Sequence, residues 1–375
     1  MTNAASELFS LVLGLMLSTS ALAQQVCSYS GPVKPLARRW EWAGDQARMK
    51  GWSGNYWIGY SIQKSMSPHS FIGSWSSDQE RNRPSLSAMI TGMQQTDADG
   101  MGGIAMHGEF EGACLDADTL GAGPLIRKEV GFLFHYSADG GITHLTVSNT
   151  SLHVDLQRAP LIWVNGAADS ESVDFLEQLY EKSSGEKIRE ELIFAIGVHD
   201  PNGVAPDFLI NVLQKERNGG LRKEAAFALG QGESSKALPE LLSAAKHDES
   251  GEVREEAIFA ISQMKGEDAL DDLILLAKEE KNIETRKKAV FWLGQDASKK
   301  SVSTLDEIAE RGDDVEVQKN AVFALSQLPG NEGMDSMIRL ASSGENAEVR
   351  KTAIFWLGQS DDPRAVEALI RIVKK

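Results

Sequence analysis

The apolar positions of this chain follow two periods, and the change falls near residue 158. Before it they alternate. "YWIGYSI" puts Tyr56, Ile58, Tyr60 and Ile62 on one side of an extended strand, and "GGIAMHGEF" does the same through Ile104, Met106 and Phe110. "GFLFHYSADGGITHLTV" reads as two strands joined at Gly140–Gly141. After residue 158 the period is helical. "LRKEAAFALGQ" sets Leu221, Ala225, Ala228 and Leu229 on one stripe while Phe227 points off it, which predicts a helix covered on two sides. Gly230, Gly294 and Gly358 are expected to stop such helices in a left-handed conformation, and Ser262 and Ser326 take that place elsewhere.

The helical pattern itself recurs. "IREELIFAIG" from Ile188 is followed by "LRKEAAFALGQ", "VREEAIFAISQ", "TRKKAVFWLGQ", "VQKNAVFALSQ" and "VRKTAIFWLGQ". Their second residues are Arg189, Arg222, Arg254, Arg286, Gln318 and Arg350, a first step of 33 and then 32 each time. Between them runs a second amphipathic segment, in which Leu241, Leu273, Leu305, Met337 and Leu369 keep the 32-residue step. Two helices per unit, each sealing its apolar face on its neighbours, predict an α-solenoid. "LIWVNGAADSESVDFLEQL", from Leu161, overlays "IFWLGQSDDPRAVEALIRI", from Ile354, with Trp163 on Trp356. It reads as an atypical first unit that caps the array, its helix shortened by Pro160 and by β-branched Ile162 and Val164. The expected organisation is an α+β multidomain chain: a signal peptide over 1–23, a small β-rich domain over 24–158, and an α-solenoid of about six to seven units over 159–375.

The "VRxxAxxALG" helix followed by "ALxxLxxLA" resembles HEAT repeats, especially the short bacterial kind similar to those of phycobilisome lyases. The "FWLGQ" and "FALSQ" endings look like HEAT-repeat proteins of bacterial envelopes that carry a leader. The resemblance implies a scaffold of helical hairpins that binds another protein along its groove. It also implies an acidic residue before each helix, paired with the arginine of a neighbouring repeat. Glu216, Asp248 and Glu280 each stand six residues before Arg222, Arg254 and Arg286. A carboxylate nearby offsets the unfavourable placing of an arginine in a helix's first turn. The ladder breaks at Gln318, where Gly312 holds the acidic slot.

Two recurring positions are candidates for partner contact. One slot holds Ala195, Ala228, Ala260, Trp292, Ala324 and Trp356: either large and small residues alternate to fill a core, or Trp292 and Trp356 form a patch for a bound partner. Gln231, Gln263, Gln295, Gln327 and Gln359 either bond to one another along an edge or form a polar rail for a bound strand.

An apolar fraction of 42% with 25% charged residues in 375 supports a folded chain. The balance of 38 Lys+Arg against 54 Asp+Glu, a formal charge of −16, disfavours nucleic acid and anionic membrane as partners. The run Leu8–Leu17 is too short to span a bilayer, and it leads into "STSALA" with small residues at Ala21 and Ala23. It predicts a signal cleaved after Ala23, although no Lys or Arg precedes it. The product is then periplasmic or secreted, with no transmembrane segment in the mature chain. In that oxidising compartment Cys27 and Cys114 are expected to form a disulfide, the alternative being two unpaired small hydrophobes.

Catalytic signatures are missing. His135, His144 and His153 lie nine apart, His107-Gly108-Glu109 lacks a PCxxC partner, and Asp97-Ala98-Asp99-Gly100 fails the calcium-loop spacing. There is no GxSxG, HExxH or P-loop. Some HEAT-like proteins hold iron through His-Glu pairs, but the corresponding slots here, Glu190-Glu191, Lys223-Glu224, Glu255-Glu256 and Lys287-Lys288, contain no histidine. The expected function is thus a non-enzymatic interaction scaffold of the bacterial envelope, with no cofactor or metal. Two alternatives stand beside it. One is a bilin or tetrapyrrole lyase-like enzyme by analogy of fold. The other is a glycan-binding protein using Trp40, Trp42, Trp52, Trp57 and Trp75, residues that would otherwise close the core of a small β domain.

Overall fold

The computed structural model describes residues 25–73, 85–91, 124–232 and 234–374. The chain divides into two compact units between Ala195 and Ile196. In the first, β1 (Val26–Ser28), α1 (Leu36–Met49), β2 (Tyr56–Met66), α2 (Leu86–Thr91), β3 (Ile126–Tyr136), β4 (Ile142–Asn149), β5 (Leu161–Gly166) and α3 (Asp169–Lys182) follow in order. The strands form one sheet, β1-β5-β2-β3-β4. β2, β3 and β4 are antiparallel, and β5 lies parallel to both β1 and β2.

Alternation along β2 sorts its side chains between two faces. On one, Tyr60 stacks on Phe132 at 5.1 Å, and Trp40 of α1 meets Phe134 at 5.0 Å and Phe175 of α3 at 4.7 Å. On the other, Trp57, Leu133, Leu161 and Trp163 form a core with Leu86 and Leu156. Gly59 makes room for that core, since a Cβ there would stand 2.7 Å from Leu133 and 2.9 Å from Trp163. Arg39, only 5% exposed, donates to the carbonyls of Lys34, Val164 and Gly166, which ties α1 to the end of β5.

The expected boundary at residues 158 and 159 falls inside this unit. Leu161, Ile162, Trp163 and Val164 are all buried, and they form a strand inside the sheet instead of the opening of a capping repeat. A strand covered on both faces has a continuous apolar run, which single-sequence patterning confuses with a buried helix. The overlay on Ile354–Ile372 holds only from α3 onward, and α3 packs on the sheet through Phe175. Cys27 sits half-buried in β1. Cys114, Trp75 and the strand expected over 102–110 lie outside the described residues.

The remaining helices are α4 (Glu186–Gly197), α5 (Ala205–Lys215), α6 (Gly219–Gly232), α7 (Ala237–His247), α8 (Gly251–Gln263), α9 (Glu267–Glu279), α10 (Ile283–Leu293), α11 (Lys299–Arg311), α12 (Val315–Gln327), α13 (Met334–Ser343), α14 (Ala347–Gln359) and α15 (Pro363–Val373). From α5 to α14 they form five hairpins, each with a leading and a trailing helix. In trailing helix α8, Val253, Ala257, Ile258, Ala260 and Ile261 are buried, the stripe expected from the sequence. Side-chain caps fix several starts: Asn282, Asp314 and Asn346 each accept backbone N–H bonds from the first turn that follows them.

The glycines do a different task from the one expected. Gly230 lies within α6, and Gly294 follows α10 at φ −69°, so neither is left-handed. Both allow helices to approach. A Cβ on Gly230 would stand 2.7 Å from the Cα of Ala260, and one on Gly294 3.0 Å from the Cα of Ala324. Where serine replaces glycine, at Ser262 and Ser326, the next trailing helix carries Trp292 or Trp356 in place of alanine. From α6 to α14 close and aromatic interfaces therefore alternate, with a period of two repeats, whereas the preceding contact of Gly197 with Ala228 is close as well.

One set of ion pairs between leading helices keeps the same alternation, while Arg339 of α13 meets Asp306 and Glu310 of α11 across an aromatic interface. Asp207 pairs with Lys236 at 2.9 Å, Asp271 with Lys300, and Asp335 with Arg364 at 3.1 Å. The intervening interfaces hold Pro239 with Asp268, and Ser303 with Glu332, at those positions. Substituting Gly230→Ala is expected to cost about 1–3 kcal/mol by overpacking. Gly358→Ala, with nothing within 4 Å of the new Cβ, is expected to be neutral or to stabilise by up to ~1 kcal/mol. Urea denaturation followed by far-ultraviolet circular dichroism measures both.

Candidate binding face of the trailing helices

Position 5 after each repeat's basic residue is Phe227, Phe259, Phe291, Phe323 and Phe355, one phenylalanine per trailing helix. Among the described residues of the array, no second layer of helices gives this side its expected cover. Phe227, Phe259 and Phe323 are half-buried, while Phe291 and Phe355 are 39% and 58% exposed. The rings cover one another instead. Phe227 stacks on Phe259 at 6.4 Å, and Trp292 reaches back to Phe259 at 4.9 Å and across to its neighbour Phe291 at 5.1 Å. The next pair of repeats reproduces this geometry: Trp356 lies 4.9 Å from Phe323 and 5.1 Å from Phe355. Both indoles are half-buried: each occupies the gap between two trailing helices while its outer edge joins an aromatic row.

Charged residues border the row. Lys287, Lys319 and Lys351 pair with Glu284, Glu316 and Glu348 one turn earlier, at 3.2, 3.0 and 2.8 Å, and Lys288 reaches Glu255 at 2.9 Å. Burial raises the carboxyl of Glu256 on the same side, partly offset by Lys223. Between the two aromatic clusters a cleft of about 270 Å3 is lined by Phe291, Phe323, Asn320 and the Lys287–Lys288 pair. A second cleft, about 560 Å3, opens beside Trp356.

The glutamines stand at the end of the same face without forming a chain of amides. Gln263 and Gln327 donate to Ser262 and Ser326 at 3.2 and 3.1 Å. Gln231, Gln295 and Gln359 are exposed, and among the described residues their side chains make no hydrogen bond. Each serine hydroxyl also donates to the carbonyl of its own helix's phenylalanine, at 2.7 and 2.6 Å. The serine thus belongs to the aromatic type of interface.

The arginines follow the two-repeat period as well. Arg222 holds Asp248 in a bidentate pair, both contacts at 2.8 Å, with the two side chains 7% and 8% exposed. Hydrogen bonding to Asp248 raises the guanidinium further above its ordinary value. Arg286 pairs with Asp313, the residue after Gly312. At the aromatic interfaces the ladder is missing: Arg254 has no ion pair with Glu280, and Gln318 accepts from Asn346 at 3.1 Å. The shared task, which the sequence reading missed, is capping of the preceding leading helix. Arg222, Arg254 and Arg350 donate to the carbonyls of Glu216, Asp248 and Gly344 at 2.9, 2.7 and 2.6 Å. A basic residue at a fixed distance after a helix end was the available signal.

Histidines of the first unit are held in local contacts. His135 lies opposite His144 in the sheet, and its ring meets Thr143 at 2.6 Å and Asn55 at 3.0 Å, while His144 meets Glu191 at 2.8 Å. Burial lowers His135, with His144 adding to the effect. Among the described residues no group of three or more His, Cys, Asp and Glu side chains is arranged to hold a metal ion, and no helix is long and apolar enough to cross a membrane. Trp57 is core, Trp40 donates to Tyr136 at 3.1 Å, and Trp42 and Trp52 pack on Tyr29 and Tyr56.

Residues 206–282 match the family of HEAT repeats, and residues 349–375 match the PBS lyase HEAT-like repeat. These two stretches carry HEAT-type repeats, one of them of the phycobilisome lyase kind, within a fold of a small mixed sheet followed by a series of about twelve helices. Among solved structures it is similar to human deoxyhypusine hydroxylase, at 20% identity over 53% of this chain and 77% of that one, with a TM-score of 0.30. It is also similar to the CpcE–CpcF complex of phycocyanin lyase from Nostoc sp. PCC7120, at 22% identity over 42% of this chain and 99% of that one, with a TM-score of 0.31. Among curated protein sequences none matches.

Removing one member of the buried pair tests the ladder. Asp248→Ala should destabilise by about 3–5 kcal/mol, because Arg222 is left buried without its carboxylate. Glu249→Ala, 84% exposed on the rim of the same arginine, should cost less than about 1 kcal/mol. Denaturant midpoints of the two variants distinguish them.

Proposed function

We propose that this protein is a non-enzymatic scaffold that docks another protein on the aromatic row of its trailing helices. The observation that carries the reading is the row itself: seven rings, with Phe291 and Phe355 substantially exposed, standing in two like clusters. Aromatic side chains offer large contact area at low entropic cost, and a contiguous exposed apolar patch on a folded protein marks an interaction surface. The border of Lys–Glu pairs gives such a face the polar rim of an interface. The enzymatic alternatives rest on analogy with relatives, and the glycan reading of the N-terminal tryptophans loses support because Trp40, Trp42, Trp52 and Trp57 pack within their own unit.

Substituting Phe291→Ser together with Phe355→Ser should leave the chain folded at a cost of about 1–3 kcal/mol, since the two rings are 39% and 58% exposed. Crosslinking in cells should lose the partner that the parent chain captures. Retention of that partner by the double variant would refute docking on the row.

The leader-like segment supports a place outside the cytoplasm, in the bacterial envelope, with Cys27 and Cys114 joined. Intact mass and non-reducing peptide mapping of the isolated protein should give a mature chain starting at Gln24 and a Cys27–Cys114 crosslinked peptide. A retained Met1 with both thiols free would reject that placement.

A further inference from the structure

The larger cleft is not required for docking on the row. Its volume of about 560 Å3 lies within the range of small-molecule sites. It opens at an aromatic interface, where Trp356 supplies one wall and buried Met337 part of the floor. The rim carries Gln327, Asn331, Gln359 and Asp361. Asn331 has φ 60° and follows Gly330 at φ 65°, so the turn after α12 holds a non-glycine residue in the left-handed region beside the cleft. The side chains of Asn331, Gln359 and Asp361 make no hydrogen bonds among the described residues.

We propose that this cleft binds a neutral saccharide, with the C–H face of one pyranose ring against the Trp356 indole and its hydroxyls bonded to Asn331, Gln359 and Asp361. The polar chemistry selects that class. Each amide presents a carbonyl acceptor and an NH2 donor, and a sugar hydroxyl both donates and accepts. A cationic ligand calls for acceptors and negative charge, but the second carboxylate at the cleft, Asp362, is already held by Arg364 at 2.7 Å. One free carboxylate beside two amides suits a polyol better than a lysine or arginine side chain. The flat indole supplies the apolar platform. The corresponding turns elsewhere lack this set: two repeats earlier, Asp361 is replaced by Ala297 and Asn331 by Glu267.

Isothermal titration of the full-length protein with cellobiose, maltose and N,N′-diacetylchitobiose tests the assignment. At least one disaccharide should bind saturably. Asn331→Ala and Gln359→Ala should each weaken it about five- to tenfold, the loss of one hydrogen bond, with unchanged denaturation midpoints. Trp356→Leu should abolish it. The single Phe291→Ser variant, altered in the other aromatic cluster and away from this cleft, should bind the sugar normally, so failure of protein docking and failure of the sugar site give different results. Absence of saturable binding by all three sugars, equal affinity in the Asn331 and Gln359 variants, or Asp361-dependent binding of trilysine in place of sugar would overturn the proposal.

Discussion

The array depends on how near one trailing helix can come to the next. At two of the interfaces a glycine faces the backbone of an alanine, and a single added methyl would meet it at 3.0 Å or less. At the interfaces between them a tryptophan takes the alanine's place and a serine takes the glycine's. Backbone proximity and ring volume are alternative ways to fill the same gap, because packed interiors tolerate neither voids nor overlap. The recurrence of "FWLGQ" is therefore a recurrence of every second interface.

Part of the electrostatics follows the same alternation, although Lys288–Glu255 and the pairs of Arg339 with Asp306 and Glu310 cross aromatic interfaces. The buried Arg222–Asp248 pair and the Arg286–Asp313 pair belong to close interfaces, as do Asp207–Lys236 and Asp271–Lys300 on the leading helices. At the aromatic interfaces Arg254 has only carbonyls as partners, and Gln318 meets an amide. A guanidinium that caps a helix end needs no carboxylate, so Arg254 keeps its place without one. Gln318 is then less a break than the neutral version of the same position.

These two kinds of contact also determine what the surface offers. Tryptophan in the larger gap is not wholly buried, and its outer edge joins the phenylalanines of adjacent helices in a row that no other helix among the described residues covers. The clefts adjoin the same rings, one between Phe291 and Phe323 and one beside Trp356. Surface and packing here are two sides of one set of residues.

The 32-residue step, the two helices per unit and the buried stripe were legible in the sequence alone, because helical periodicity repeated at a constant interval has few structural solutions. So was the β2–β3–β4 pattern, through alternation and the Gly140–Gly141 turn. Three matters were decided only in three dimensions. Leu161–Gly166 became a strand because a partner on each edge and a layer on each face were available to it, and none of these is local in sequence. Gly230 and Gly294 serve close approach across repeats, which their own φ and ψ do not reveal. The phenylalanines lie at the surface because burial of an off-stripe residue depends on whether a second layer exists, and a sequence stripe specifies only the first.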